Sequence, residues 1–181
     1  IFGDVATAMV VEAAEVATAA CQFEILDSRL TTIYSNAIRN NFGFVNRCED
    51  TPWTARDKLF RQEGRKVFKE VCVKVADMIG EQLADAGLSL SDASPVNRLW
   101  LHQANINMND YVSRRVLGPE HPRAQAPVVL DTFGNTASAG SIIAFHQHRD
   151  DLQVGDTGVI CSFGAGYSIG SVLVQRCEPA A

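Results

Sequence analysis

His102, Asn135 and the Gly164-Ala165-Gly166 corner are the places where residue type and position in this chain could support chemistry. Each sits in a short segment that follows an apolar run of strand length. The segments are Leu101-His102-Gln103-Ala104-Asn105, Asp131-Thr132-Phe133-Gly134-Asn135-Thr136 and Ser162-Phe163-Gly164-Ala165-Gly166-Tyr167. In α/β folds, reactive groups gather just beyond the carboxyl ends of strands. Each segment also has a structural reading. A lone His at a strand end is commonly a satisfied structural residue, and Gly-Asn is turn chemistry, with Asn135 free to cap the next helix. The Gly-Ala-Gly corner could be a hairpin with positive φ angles. It is not a phosphate loop, because it lacks the Lys-Ser/Thr ending and opens no helix.

These segments need a frame. Val5 to Glu12 is a near-continuous apolar run, as expected of a strand covered on both faces. Glu15 to Thr32 has strand character and is expected to lie antiparallel to it. Asn36 to Asp57 reads as a long loop. Phe68, Val71, Cys72, Val75, Ile79 and Leu83 recur at three- and four-residue steps and predict a helix. Gly64 sits just before it and Gly87 is its C-cap. A linker, Ser89–Pro95, precedes the short buried strand Arg98-Leu99-Trp100-Leu101. Asn105 to Leu117 predicts a second helix stopped by Gly118-Pro119, Pro127 to Asp131 another strand, and Ala137 to Leu152 a third helix. Gly158–Phe163 and Ser168–Arg176 close the chain as a hairpin. The expected architecture is α/β, a mixed five-stranded sheet flanked by helices.

Composition narrows the function classes. The 181 residues are 46% hydrophobic and 20% charged, with a net charge of −5. That is one domain with a sizeable core and no basic excess for nucleic acid. No apolar run approaches the roughly 20 residues that span a bilayer, and the start lacks a signal-peptide layout. The five cysteines form no CxxC pair, so they read as free thiols in a reducing cytoplasm, without zinc. His146 and His148 lie two apart on a predicted helix and do not share a face, so they make no metal site. His121 has no partner in sequence. The chain opens Ile1-Phe2-Gly3-Asp4 without Met and enters an apolar run at once. We therefore expect a piece of a longer protein.

Taken together, WLHQAN at Trp100–Asn105, GNT at Gly134–Thr136 and FGAG at Phe163–Gly166 resemble the β-ketoacyl-[acyl-carrier-protein] synthase III family of the thiolase-like superfamily. The opening IFGDVATAMVVE resembles the strand that begins that family's second half, and Gly64–Lys69 its G-x-x-V-F-K segment. The resemblance covers Ile1 to Arg176 and implies a single C-terminal thiolase-like domain over 1–181. It implies a decarboxylative Claisen condensation of an acyl thioester with a malonyl thioester, as in fatty-acid biosynthesis. His102 and Asn135 would donate to the malonyl thioester carbonyl and stabilise the enolate. The Ala165 backbone N–H would serve a second oxyanion hole, where the family often has Gly, and Phe163 would wall the nucleophile. Asn105, Ala104, Gly64 and Phe68 would line a pantetheine tunnel. Arg114 and Arg115 match a basic pair that could draw an acyl carrier protein, or form a solvated helix face. Asn107 stands where the family has a further basic residue, which leaves CoA thioesters open as substrates.

The family's nucleophilic Cys lies in its first half, on a small-residue elbow that none of Cys21, Cys48, Cys72, Cys161 or Cys177 shows. This chain alone is expected to be inactive, to need no cofactor, to expose apolar helix surface and to associate as a homodimer. Two other readings stay open. One is a non-catalytic acyl-CoA or pantetheine-binding module. The other is a related condensing enzyme of secondary metabolism or head-to-head acyl condensation.

Overall fold

The apolar stripe of the long helical segment buries as its spacing requires. A computed structural model describes residues 2–40, 52, 54–56, 59–88 and 96–179. Helix α1 spans Gly64–Asp85 and buries Val71, Cys72, Val75, Ile79 and Leu83 along one face, joined by Val67, whereas Phe68, expected on that stripe, is only half-buried. Gly64 is its first residue. The helix closes as the glycine suggested: Gly87 adopts φ +73°, Leu88 N–H donates to the Leu83 carbonyl at 2.8 Å and Gly87 N–H to that of Ala84 at 3.0 Å. This paired return of N–H groups uses carbonyls that the helix itself cannot satisfy.

Strands β1 (Gln22–Ser35), β4 (Arg98–Leu101), β5 (Thr157–Gly164) and β6 (Gly166–Cys177) form a four-stranded sheet in the order β1-β6-β5-β4. β4 runs parallel to β5, and the other two pairings are antiparallel. The two-residue period sorts their side chains onto two faces. Leu99, Leu101, Val159, Cys161, Phe163, Ile169 and Leu173 join a cluster with α1 and with α2 (Ile106–Leu117). Trp100, Ile160 and Val174 pack on the other face against Ile143, Ala144 and Phe145 of α4 (Ala139–Gln147). Helices on both faces explain why β4 is buried at every position rather than alternately. The α/β class with a mixed, helix-flanked sheet is as expected.

Several boundaries differ, each for want of a hydrogen-bonding neighbour. Val5–Glu12 is no strand. Val10 and Val11 are 87% and 69% exposed, and a strand forms only where its N–H and C=O groups find a partner strand. The described part of the sheet therefore has four strands, not five. The strand expected over Glu15–Thr32 begins later, as β1, and pairs with β6 rather than with the opening run; Ala14–Val16 is a 3₁₀ turn. Pro127–Asp131 is not a strand either. The Val129 N–H is taken by a side chain, Gln103, and the chain curls into the short helix α3 (Leu130–Phe133). The helix expected over Ala137–Leu152 is shorter at both ends, as α4. Within the expected long loop, β2 (Ile38–Asn40) pairs with β3 (Phe60–Gln62). Residues 41–51, 53, 57 and the linker 89–95 lie outside the described residues. Exposed large apolar side chains were expected on helices. They lie instead mainly in segment 2–16 and on β1 (Ile25, Leu26, Leu30, Tyr34), with Ile106 the helical one among the described residues. No helix among the described residues is long and apolar enough to cross a membrane.

One polar network crosses the larger core. Gln82, fully buried on α1, accepts from Ser171 Oγ of β6 at 2.5 Å and donates to Asp27 Oδ2 of β1 at 3.0 Å. Arg29 in turn donates to Asp27 and to Asp85 at 3.0 and 2.7 Å. Hydrogen bonds from Arg29 and then Gln82 hold the Asp27 carboxyl below its usual range. Replacing Gln82 with Leu strands the Ser171 hydroxyl, and should cost about 1–3 kcal/mol in a urea titration. Because the folded Asp27 pKa lies below its unfolded value of about 3.9, its stabilisation is complete above that pH and is lost as pH falls through the folded value. Asp27→Asn should therefore show a shallower loss of Tm than wild type on acidification below about pH 5.

Candidate active site

β4 delivers His102 at its carboxyl end, where the ring turns into the core rather than to solvent. His102 is 8% exposed and its ring lies 4.3 Å from that of Phe163, centroid to centroid, tilted by 46°. Both line a small cavity with Val75, Met108, Asn109 and Cys161. Burial pushes the His102 pKa down to about 4, so the imidazole is neutral at neutral pH. Such a ring has one N–H to donate and one lone pair to accept with. The Cys161 thiol beside it is pushed up to about 12 and that of Cys72 to about 11, both by burial. Neither is a thiolate in waiting. Cys21 and Cys177 are half-buried free thiols, and Cys21 Sγ lies 3.1 Å from Arg176 Nη1. Cys48 falls outside the described residues.

Asn135 stands in a tight turn. Gly134 before it has φ +65° and Ala137 after it φ +53°, left-handed conformations that cost a non-glycine residue about 1 kcal/mol. Asn135 does not cap the following helix, whose N-cap position is Ser138. Its Oδ1 instead accepts the Ala137 N–H at 2.9 Å. With the oxygen so engaged, the amide nitrogen is left as a donor. The Asn135 backbone carbonyl accepts from Gly3 N–H at 3.0 Å. A Cβ on Gly3 would sit 2.0 Å from the Phe133 carbonyl oxygen, so only glycine fits there.

A buried amide joins these two segments. Gln103, wholly buried, donates to the Leu101 carbonyl at 2.8 Å and accepts from Val129 N–H at 3.1 Å. Gly140 of α4 is wedged between them: a Cβ there would meet the Gln103 side chain at 2.7 Å and Thr136 Oγ1 at 3.2 Å. The neighbours of His102 and of Asn135 thus abut one glycine. Ser141 Oγ and Ser162 Oγ lie 2.7 Å apart, and both reach the Ser138 carbonyl, which ties the Asn135 turn to β5. Sequence reasoning passed over Gln103, Asn109, Ser141 and Ser162. The available signal was a polar residue at a position the apolar period assigns to the core.

Gly64, Phe68 and Asn105 come together, with Gln62, Arg65, Lys69 and Asn107, along a cleft of about 950 Å³, open solvent included. Met108 lines both this cleft and the His102 cavity. Asn105 also caps α2, its side chain accepting from Met108 N–H at 3.1 Å. Ala104 is half-buried against the larger core cluster. Ala165 is the exposed single residue between β5 and β6, and Gly166 after it has φ +141°. Arg115 pairs with Asp77 of α1 at 2.9 Å, and Arg114 is exposed beside it. Arg65 and Lys69 bring basic charge to the cleft that holds Asn107. His121 Nδ1 lies 2.8 Å from the Gly118 carbonyl. His146 is exposed on α4, and the backbone carbonyl of His148 accepts from Arg98 and Trp100.

Comparison with known proteins shows the family and the fold. Residues 83–176 match the family described as 3-oxoacyl-[acyl-carrier-protein (ACP)] synthase III C terminal. The chain is 54% identical over 176 residues to the β-ketodecanoyl-[acyl-carrier-protein] synthase of Pseudomonas aeruginosa, covering 97% of this chain and 49% of that protein. It is 34% identical over 179 residues to a β-ketoacyl-[acyl-carrier-protein] synthase III of Erythrobacter litoralis, covering 97% and 51%. The fold is similar to the crystal structure of the Aquifex aeolicus 3-oxoacyl-[acyl-carrier-protein] synthase III, with TM-score 0.67 and 22% identity over 84% of this chain and 44% of that one. The chain spans about half the length of the curated relatives it matches. With the matched region holding His102, Asn135 and the β5–β6 corner, the chain belongs to the family of 3-oxoacyl-[acyl-carrier-protein] synthase III C-terminal domains.

Proposed function

We propose that this chain is the C-terminal half of a decarboxylating condensing enzyme of the synthase III type, acting in fatty-acid or related lipid synthesis. What carries the reading is two neutral donors on segments whose neighbours meet at Gly140, a buried uncharged His102 and an Asn135 whose oxygen is already bonded. Family membership supports a malonyl thioester as the group that pair acts on. A malonyl thioester loses CO2 by breaking its carbon–carboxylate bond, and the electron pair moves onto the thioester oxygen. His102 and Asn135 stabilise the resulting enolate with one N–H each, placed before the charge develops. The enolate carbon then attacks an acyl-cysteine carbonyl, and the cysteine thiolate leaves. We assign that cysteine to the other half of the enzyme, in keeping with Cys72 and Cys161, which burial holds as thiols. The Ala165 N–H would serve the acyl oxygen and Phe163 would exclude water from the reacting pair.

A neutral donor suits this step. An imidazolium would stabilise the malonyl carboxylate as well as the enolate, and so hold back the loss of CO2. The cleft holding Gly64, Phe68 and Asn105 is proposed to take the pantetheine arm, with Arg65 and Lys69 adding positive charge toward a phosphate. CoA or carrier-protein thioesters serve as substrates, and no cofactor is required. The name of the 54% identical relative favours a medium-chain acyl donor. The exposed apolar side chains of segment 2–16 and β1 are proposed to be covered by the other half and by a second copy of the enzyme. A cytoplasmic location follows from the substrates.

The reading is tested by release of CO2 from malonyl thioester and formation of the β-ketoacyl product by the intact protein. Asn135→Asp keeps the oxygen that holds Ala137 but removes the donor, and should lower the rate about 10²–10³-fold with the fold unchanged. His102→Ala should lose a similar factor while acyl transfer to the enzyme persists. Unchanged turnover in either variant would sink the proposal. In the pH profile, His102 should contribute no inflection near pH 6.5, its ordinary value, and only a fall as pH approaches about 4.

A further inference from the structure

Two buried polar atoms on residues that line the His102 cavity have no partner among the described residues, Nδ1 of His102 and Nδ2 of Asn109. The two residues are 8% and 2% exposed, and both line the same cavity between α1, α2 and β5. Asn109 lies on the buried face of α2 with Met108, Val112, Val116 and Ser113, whose hydroxyl donates to the Asp110 carbonyl. An amide on such a face is costly unless something satisfies it.

What can satisfy it is limited. The Asn109 nitrogen only donates, so it needs an acceptor. Val75, Leu101, Met108, Val112 and Phe163 offer apolar side chains to the cavity, and the Cys161 sulfur is a weak acceptor at best. The unprotonated nitrogen of a neutral imidazole is the good acceptor that remains. The cavity has room for about one water molecule, and a water between two polar groups is nearly as good as a direct bond.

We propose that Asn109 is a positioning residue for His102. Its side-chain amide donates, through one water, to Nδ1, holds that nitrogen as an acceptor and leaves the ring proton on Nε2. The inference rests on the proposed role of His102 as an enolate donor. With Nδ1 turned into the core, Nε2 is the nitrogen that can meet a substrate. A ring in the other tautomer would present a lone pair to the growing negative charge. Asn109 thus does for His102 what Ala137 N–H does for Asn135: it occupies the accepting atom so that the donor is left for the substrate.

Histidine-selective 15N labelling of the intact protein, without ligand, reads the tautomer directly. The His102 signals are assigned by their loss in His102→Gln. The wild type should show protonated Nε2 and bare Nδ1. Asn109→Leu should give mixed tautomers, with kcat about ten-fold lower and KM for the malonyl thioester little changed. Asn109→Asp, whose carboxylate accepts, should move the proton to Nδ1. A wild-type ring protonated on Nδ1 overturns the proposal without any variant, as does Asn109→Leu with wild-type tautomer and kcat. Because the tautomer is read with no substrate present, a protein that shows it but does not condense thioesters counts against the proposed function and not against Asn109.

Discussion

The site hangs on Gln103. Its amide bridges the last carbonyl of β4 to the Val129 N–H, and its aliphatic part presses on Gly140 of α4. Those contacts join three pieces of chain that are distant in sequence. A buried amide is tolerated only when its polar atoms are satisfied, so the β4 end and the 127–129 segment must stay where Gln103 can reach both. That requirement converts what the apolar run Pro127–Asp131 would otherwise favour, a strand, into an irregular approach to a short helix. The turn carrying Asn135 follows directly.

From that constraint comes an order of assembly in physical terms. The sheet sorts apolar side chains to two faces and brings β4 and β5 side by side, which places His102 against Phe163. Gln103 then fixes the Asn135 turn relative to β4, and the Ser141–Ser162 contact fixes it relative to β5. On the proposed reading, both donors are prepared in the same manner. The accepting atom of Asn135 is occupied by backbone and Nδ1 of His102 is buried, so under the proposed chemistry neither would have to reorganise as an enolate forms. Local strain at Ala137 is the cost of that turn.

Much of this was legible in the amino-acid sequence, and the reasons differ by element. Helix α1 was legible because six apolar residues keep one helical face and Gly87 ends it. β4 to β6 were legible because their apolar runs are short and bounded by turn residues. Val5–Glu12 has the same local signal as those strands yet makes none, since strand formation is decided by a partner that local sequence does not contain. Pro127–Asp131 failed for a related reason, a side chain from elsewhere taking the Val129 N–H. At the site, His102 and Asn135 were visible only as a set with the FGAG corner; either alone carried a structural reading. Gln103 and Asn109 were detectable only as polar residues at core positions, Asn109 beside Ser113 on the buried face of α2, because the role of such a residue depends on hydrogen-bond partners across the fold that local spacing does not show.

The central claim is that His102 and Asn135 act together on one oxygen. The most direct measurement is a crystal structure of the intact protein with an unreactive malonyl-thioester analogue bound. The account predicts the thioester carbonyl oxygen within about 2.7–3.1 Å of both His102 Nε2 and Asn135 Nδ2. A bound analogue whose carbonyl touches neither nitrogen would contradict it.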